Sequence, residues 1–376
     1  MLSYWEQQSF LQYDHIVIGS GIVGLSTAIE LKQKYPSQSV LVLERGLLPT
    51  GASTRNAGFA TTGSLAEILD DLTHMSAQEV QQLVALRKHG LQLLRHRLGD
   101  AVIGYVERGS YELLRPTELQ VLDRIGEVNE LLKPINGENT FTPAHAQVHA
   151  AGFAPGFAAG MVQNHYEGEL HTGKMMRALV SLCIGKGIEI KTGCQVMHFN
   201  ETAGEVQVFC NAGGQDELVG FKAARLFVCT NAFTKSLLPQ LDLKPGRGQV
   251  LITHPIPGLK FKGIYHFDEG YYYFREIDGR VLFGGGRNLD FEGETTTEFG
   301  LSDRIQYELE EKLSKVILPG TPYRIDMRWS GIMAFGPTKQ PLIQQLTERV
   351  AIGVRMGGMG VAIGSAVGMK LAEMAE

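Results

Sequence analysis

YDHIVIGSGIVG, residues 13–24, decides how the rest of the chain is read. Residues 15–18 form a short apolar run bounded by Asp14 and Gly19, the pattern of a strand buried on both faces of a parallel sheet. Gly19, Gly21 and Gly24 then supply G-x-G-x-x-G, and from Ile22 and Val23 onward the spacing turns helical, with Ile22, Leu25 and Ile29 on one face. In such a strand–turn–helix unit Gly19 makes the turn, Gly21 lets backbone N–H groups approach a pyrophosphate, and Gly24 lets the helix lie close to the strand. A second apolar run, residues 39–43, ends in Glu44, 25 residues after Gly19. An acid at that place accepts hydrogen bonds from an adenosine ribose and repels a 2′-phosphate. The chain holds 45 glycines, so the motif alone also fits a glycine-rich turn of another α/β protein. Its strand-and-helix context favours a dinucleotide site, and FAD and NAD both fit that site.

A chain of 376 residues with 44% hydrophobic residues is long enough for two domains around a large core. The net charge of −5 and the lack of any Lys/Arg block argue against nucleic acid as a partner. MLSYWEQQSF lacks the basic and apolar regions of a signal peptide, and no apolar run reaches the roughly 20 residues that span a bilayer. The expectation is a soluble, cytoplasmic protein without an integral membrane segment. Cys183, Cys194, Cys210 and Cys229 are scattered through apolar segments, which reads as buried thiols rather than a disulfide framework or a metal site.

Along the chain, residues 3–11 read as a short helix or arm. Residues 44–64, ERGLLPTGASTRNAGFATTGS, form a long polar connection of the kind that is often functional. Ser53, Thr54, Arg55, Asn56 and the backbone at Gly58 suit phosphates and a flat ring. Helices follow at 65–72, after the capping box Ser76/Glu79, and at 117–132 with Pro134 beyond the end. Residues 102–106 and 110–114 read as a hairpin. Thr172 caps a helix that Gly187 ends, and strands are expected at 188–192, 195–200, 205–210 and 225–229. The last of these ends in Thr230 and Asn231, near the nucleotide if the strand rejoins the first sheet. In YYYF, residues 271–274, alternation puts Tyr271 and Tyr273 on one face and Tyr272 and Phe274 on the other, one lining a cavity and one in the core. A buried strand at 350–354 leads through Gly357, Gly358, Met359 and Gly360 into a final helix, whose N-terminus carries about half a positive charge.

These motifs together resemble the FAD-dependent D-amino-acid-oxidase superfamily, which holds glycine oxidase, sarcosine oxidase and D-amino-acid dehydrogenase. The likeness covers nearly the whole chain: GSGIVG at 19–24, LER at 43–45, GASTRNAG at 51–58, VCTNAFT at 228–234, Trp-x-Gly at 329–331, and the glycine turn at 357–360. SYWEQ, STRNAG and CTNAFT are most similar to the gamma-glutamylputrescine oxidoreductase branch. The resemblance implies an α/β fold, α+β overall. A Rossmann-type FAD-binding domain would comprise residues 12–75, 142–235 and 335–376, interleaved with a mixed-sheet substrate domain of 76–141 and 236–334. By the same likeness Gly19, Gly21 and Gly24 hold the pyrophosphate, Glu44 the ribose, and Arg45, Ser53, Thr54, Arg55 and Asn56 the phosphates and ribityl chain. Val196 meets the adenine, and Gly357 to Gly360 run along the flavin. The FAD is expected to be non-covalent, since SGIMAFGPTKQP after Trp329 has no cysteine.

The chemistry implied is oxidation of a CH–NH bond of a small amine or amino acid by hydride transfer to flavin N5, without an obligatory side-chain base. The chain departs from the family where substrate carboxylates are held. Met333 stands at the usual arginine position and Met359 replaces the polar residue of the flavin turn. Arg287 and Arg355 are the preferred substitutes, ahead of Arg275 and Arg328, and Tyr273 is expected to help position the substrate. Two alternatives stay open. One is an FAD-dependent 2-hydroxy-acid dehydrogenase using His171, His254 or His266 as base; the other is a non-catalytic flavin-binding subunit.

Overall fold

The computed structural model describes residues 2–154, 156–211 and 218–375. In chain order, α1 (Tyr4–Ser9), β1 (Gln12–Ile18), α2 (Ile22–Lys34), β2 (Val40–Leu43), α3 (Ala52–Arg55) and β3 (Phe59–Ala60) lead into α4 (Leu65–His74), α5 (Ala77–Leu98) and α6 (Asp100–Ile103). The middle of the chain holds β4 (Ser110–Leu114), α7 (Ile125–Asn136), β5 (Phe141–Pro143), α8 (His145–Ala151), β6 (Gly160–Asn164), β7 (Gly168–Glu169), α9 (Thr172–Gly185), β8 (Glu189–Lys191), β9 (Gln195–Glu201), β10 (Val206–Asn211) and β11 (Val219–Val228). The remainder is β12 (Lys244–Thr253), β13 (Ile264–Phe267), β14 (Tyr272–Ile277), β15 (Arg280–Gly285), α10 (Asp303–Lys312), β16 (Ile325–Phe335), β17 (Leu342–Gln345), β18 (Val350–Val354) and α11 (Gly360–Glu373).

Among the described residues these strands build two large mixed sheets. The first runs β17-β18-β11-β1-β2-β8, with β10 and β9 continuing from β11. Its centre is parallel: β1 pairs with β2 and with β11, and β11 with β18. The strand ending at Val228 therefore does rejoin the first sheet, as its apolar run implies. The second sheet runs β16-β12-β15-β14-β13-β4-β6-β5 and is antiparallel except between β13 and β4. Helices α2 and α11 are buried on almost every side, which is why neither carries a polar face. They approach so closely that a Cβ on Gly368 would lie 2.7 Å from the Thr27 backbone N. Phe267, Phe274, Phe283 and Tyr272 form the core between the second sheet and α10.

The structure corrects several local expectations. No hairpin joins 102–106 to 110–114: residues 100–103 make one helical turn closed by Gly104 at φ +63°, and β4 pairs instead with β6 and β13. A five-residue alternation names a face but not a partner. The helix expected over 117–132 is a 3₁₀ segment, Pro116–Arg124, followed by α7, and Pro134 lies inside the last turn of α7. His171, not Thr172, caps α9. Residues 142–164, grouped by sequence with the nucleotide unit, contribute most of β5 and all of β6 to the second sheet, whereas α5 places Leu83, Leu91 and Leu94 in the core under α2 and α11. All four cysteines are buried and unpaired. Among the described residues no helix is long and apolar enough to cross a membrane.

Candidate active site

The C-terminal edge of the first sheet opens into a cavity of about 720 Å³ that continues to the face of the second sheet. Ligands of open α/β sheets bind at this edge. At its floor Gly19, at φ +102°, turns the chain out of β1, and its N–H donates to the Leu43 carbonyl at 2.8 Å. A Cβ on Gly24 would stand 1.9 Å from the Gly19 carbonyl oxygen, so only glycine lets α2 start here. Gly21, Ile22 and Val23 line the cavity at the N-terminus of α2, whose first N–H groups lack intrahelical acceptors. Ser53 Oγ accepts from Ile22 N at 3.0 Å. Glu44 is buried at the end of β2; its Oε2 accepts from Ser20 N at 3.1 Å and Ser20 Oγ at 2.6 Å, and its Oε1 from Gly46 N at 2.9 Å. The carboxylate is thus fixed to the turn with lone pairs to spare. Arg45 lies over the Phe233 ring at 3.6 Å on the same wall.

Ser53, Arg55 and Asn56 line the cavity together with Val196, Thr230 and Asn231. Arg55 is positioned by donating Nε to the Thr50 carbonyl and Nη1 to the Ser330 carbonyl, and by stacking over Phe299 at 4.3 Å. Asn56 Oδ1 accepts from Gly58 N and Thr172 Oγ1. Thr54 and Gly58 are not on the cavity wall. Thr54 Oγ1 donates to the Pro49 carbonyl at 2.6 Å, and a Cβ on Gly58 would lie 2.3 Å from the Leu170 carbonyl oxygen; both shape the loop. At the far side Gly357, Gly358, Met359 and Gly360 bring the N-terminus of α11 to the same space. Two helix N-termini facing one elongated cavity, with a glycine backbone at each, fit a dinucleotide carrying an anionic diphosphate and an electron-rich ring.

The other half of the cavity is walled by the second sheet. Register places Glu112, His266, Tyr273, Gly284 and Val250 in one row across β4, β13, β14, β15 and β12. His266, Tyr273 and Val250 of this row line the cavity, as does Tyr271, whereas Tyr272 and Phe274 point to the core. The alternation read from YYYF therefore separates the two faces correctly. Burial pushes the Tyr273 hydroxyl up to about 12 and the His266 imidazole down to about 4. His266 Nε2 is buried without a hydrogen-bond partner.

Arg287 lines this half, its guanidinium 4.5 Å from the Phe335 ring centre and 5.1 Å from that of Phe291. Its Nε is buried and unpartnered. Arg355, the other preferred cation, points elsewhere: its Nε donates to the Gln340 carbonyl and its Nη1 to the Asp242 carbonyl, and its own N–H donates to Asn231 Oδ1. Arg275 is held by the Gly58 and Leu170 carbonyls, and Arg328 by Gln306 and Glu310. Met333 lines the cavity between Gly248 and Gly358, and Thr61 Oγ1 lies 3.7 Å from Met359 Sδ. Of the three histidines, His171 caps α9 and His254 sits beside Asp326 at 3.6 Å, so only His266 reaches the cavity.

Sequence reasoning missed Glu67, Asp70 and Lys339, which also line it. Ser64 and Glu67 have capping-box spacing, and Ser64 Oγ does accept from Glu67 N, but the Glu67 carboxylate goes to Arg87 at 3.1 Å. A Glu whose cap is satisfied without its side chain was the available signal.

A parallel nucleotide unit joined to a mixed sheet over one shared cavity defines an FAD-dependent oxidoreductase. The chain belongs to the DAO family, described as FAD dependent oxidoreductase, which it matches over residues 14–374. It is 22% identical over 375 residues to the "Probable oxidoreductase OrdL" of Haemophilus influenzae, covering 96% of this chain and 82% of that one. It is 24% identical over 336 residues to the L-2-hydroxyglutarate dehydrogenase of Escherichia coli, covering 78% of this chain and 69% of the relative. Among solved structures, the L-proline dehydrogenase from P. horikoshii superposes with a TM-score of 0.77 at 19% identity, covering 96% of this chain and 93% of the other.

Proposed function

We propose that this chain oxidises a CH–NH bond of a small amine or amino acid. FAD, when bound, supplies the two-electron acceptor. Gly21, Ile22, Val23 and Glu44 hold its nucleotide half, Arg45, Ser53, Arg55 and Asn56 the middle, and Gly357 to Gly360 the ring half. Arg287, 4.5 Å from the Phe335 ring centre and 5.1 Å from that of Phe291 and in no close ion pair among the described residues, takes a substrate carboxylate as a bidentate fork. Tyr273, held protonated by burial, donates a hydrogen bond and closes the apolar wall against water.

The observation that carries the choice of an amine is the state of His266. Oxidising a hydroxyl needs a base, and of the histidines only His266 reaches the wall, where its Nε2 is buried without a partner and burial lowers its proton affinity. An amine delivered neutral needs none. A second reading, a 2-hydroxy-acid dehydrogenase, is favoured by the presence of His266 in the cavity and by the name of the 24% identical relative. The deciding experiment is an anaerobic absorbance scan at about 450 nm, where bound flavin absorbs, with pools of D-amino acids, N-methyl amino acids, polyamine derivatives and 2-hydroxy acids. Bleaching by a nitrogen pool is the expected result. Bleaching by 2-hydroxy acids alone overturns it in favour of the second reading, and bleaching by no pool supports a flavin-binding subunit without its own oxidation step.

A further inference from the structure

Four glycines stand on the cavity face of the second sheet. Register sets Gly331 beside Gly248, Met333 beside Gly246 and Gly284 beside Val250, and alternation along β12 puts Gly246, Gly248 and Val250 on that one face. At three of the four, larger groups already occupy the room. A Cβ on Gly246 would run into the Phe335 ring and lie 3.0 Å from Arg287 Cζ. One on Gly284 would run into Val250 and lie 2.7 Å from Tyr273 Cε2, and one on Gly331 would lie 3.2 Å from Arg55 Cβ. These glycines let Arg287, Tyr273 and Arg55 lie against the sheet.

Gly248 is different. It lines the cavity, its φ is not positive, and the nearest atoms to a Cβ built there are Met333 Cε at 2.9 Å and the Tyr273 hydroxyl at 3.9 Å. What stands over it is the tip of an unbranched, rotatable thioether chain, the side chain best able to make way. The same methionine reaches the opposite wall, where its Sδ lies 3.8 Å from the place of a Cβ on Gly358, so it spans from the sheet to the glycine turn before α11. Rotating Met333 opens the floor at Gly248 without moving backbone. The space uncovered is bounded by strand backbone and Val250, with the Tyr273 hydroxyl at its rim.

We propose that Gly248 and Met333 are the floor and the movable wall of a pocket for an apolar side chain of the substrate. The substrate class is then an amino acid, or its N-methyl derivative, whose side chain is unbranched, apolar and without a second charge. This rests on the amine reading above and on Arg287 as the carboxylate fork. Arg287 Cζ lies over Gly246, and Gly246 and Gly248 are two residues apart on one face, about 7 Å along the strand. That is the span of an extended 2-aminopentanoate or 2-aminohexanoate. Met333, at the place where the family resemblance implies an arginine, thus exchanges a charged contact for an apolar one.

The test first titrates propanoate, butanoate, pentanoate and hexanoate into the FAD-loaded protein, acids that carry the side chains without the amine, and reads binding from the shift of the flavin spectrum. Each added CH2 should tighten binding about three- to fourfold. The charged counterpart 6-aminohexanoate should bind at least about tenfold more weakly than hexanoate, because its ammonium finds no partner at Gly248. Gly248→Ala pushes the Met333 tip into the cavity and should flatten the series beyond butanoate. Met333→Ala widens the same pocket and should turn the preference from hexanoate to 3-phenylpropanoate; it keeps the proposal testable if Gly248→Ala does not retain flavin. Anaerobic bleaching by alanine, 2-aminobutanoate, 2-aminopentanoate and 2-aminohexanoate, as both enantiomers, should follow the same order, with lysine below 2-aminohexanoate. Equal binding along the acid series, tighter binding of 6-aminohexanoate, an unaltered slope in both variants, or no response to hexanoate at about 10 mM overturns the pocket. Bleaching by amino acids without regard to chain length removes the pocket and leaves the amine reading standing. A chain-length slope in acid binding together with bleaching by 2-hydroxy acids alone keeps the pocket and removes the amine reading.

Discussion

Alanine at Gly21 and alanine at Gly24 should fail in opposite ways. Gly21 has φ −75° and ψ −179°, backbone that any residue adopts, and a Cβ there would meet only Ser53 Oγ, at 3.0 Å, the tip of a rotatable side chain. Folding stability should change by less than about 1 kcal/mol, as for glycine exchanges at compatible sites. The added methyl stands where α2 opens on the cavity and keeps an anion from its N–H groups. Losing two charge-assisted hydrogen bonds of about 1.5–3 kcal/mol each would weaken FAD binding by roughly 10²–10⁴-fold. At Gly24 the Cβ would lie 1.9 Å from the Gly19 carbonyl oxygen and 3.3 Å from Val17 Cγ1. Helix and strand must part by more than an ångström, which costs about 3 kcal/mol and lowers the melting point by roughly 4 °C. Flavin per chain after desalting and thermal melting of the flavin-free protein measure the two effects separately. Gly21→Ala should melt with the parent and come off the column colourless; Gly24→Ala should melt early with or without flavin. A Gly21→Ala protein that retains one flavin per chain, or a Gly24→Ala protein as stable as its parent, would refute the division of roles.

Two further outcomes concern the buried charges. Arg87, 1% exposed, is the partner of Glu67 and of the Thr62 carbonyl, so Arg87→Met leaves that buried carbonyl without its donor and the partly exposed Glu67 with Lys339 alone at 3.7 Å, and should lower stability by about 1–3 kcal/mol in denaturant titration; an unchanged midpoint would show that neither contact contributes. Burial raises both Glu112 and Glu167 from the usual carboxylate range to about 7, so the folded state binds more protons than the unfolded state between about pH 4.5 and 7. Stability conferred by the protonated forms is therefore complete below that window and is lost as pH rises through it, by on the order of 3 kcal/mol per group. Glu167→Gln keeps an acceptor oxygen for Thr62 N and Gly63 N and puts an amide N–H where Oε2 accepts from Ser110 Oγ, and should remove about half of that pH dependence in unfolding midpoints at pH 5 and 7.5; an unchanged slope would place the titration elsewhere.

The nucleotide half of the site was legible because each of its parts is local. A strand, a glycine turn and a helix are written in consecutive residues; Gly19, Gly21 and Glu44 line the cavity floor, and Gly24 seats α2 against the Gly19 carbonyl. The substrate half is assembled from α4 and β4, within residues 65–114, and from β13 and β14, within residues 264–277, and no local pattern records which strand lies beside which. Arg287 and Arg355 look alike in sequence; only the fold turns one toward the cavity and commits the other to backbone carbonyls. Thr54 and Gly58 were read as ligands because polar loops near a nucleotide often are, whereas here they hold the loop itself. Lys339 carries no motif and Glu67 only a capping-box spacing, and their place on the cavity wall comes from the fold.

The close seam between α2 and α11 and the parallel order β2-β1-β11-β18 also set a timetable for biosynthesis. The phosphate turn leaves the ribosome well over 300 residues ahead of the strand and helix, residues 350–373, that complete its surroundings. At roughly 5–20 residues per second, the turn waits about 15–70 s for them. Throughout that interval β1 has its neighbours missing in succession and α2 shows solvent the face that α11 will cover. Flavin capture consequently waits for residues 350–373, and a shortage of FAD would be felt by chains that already carry them.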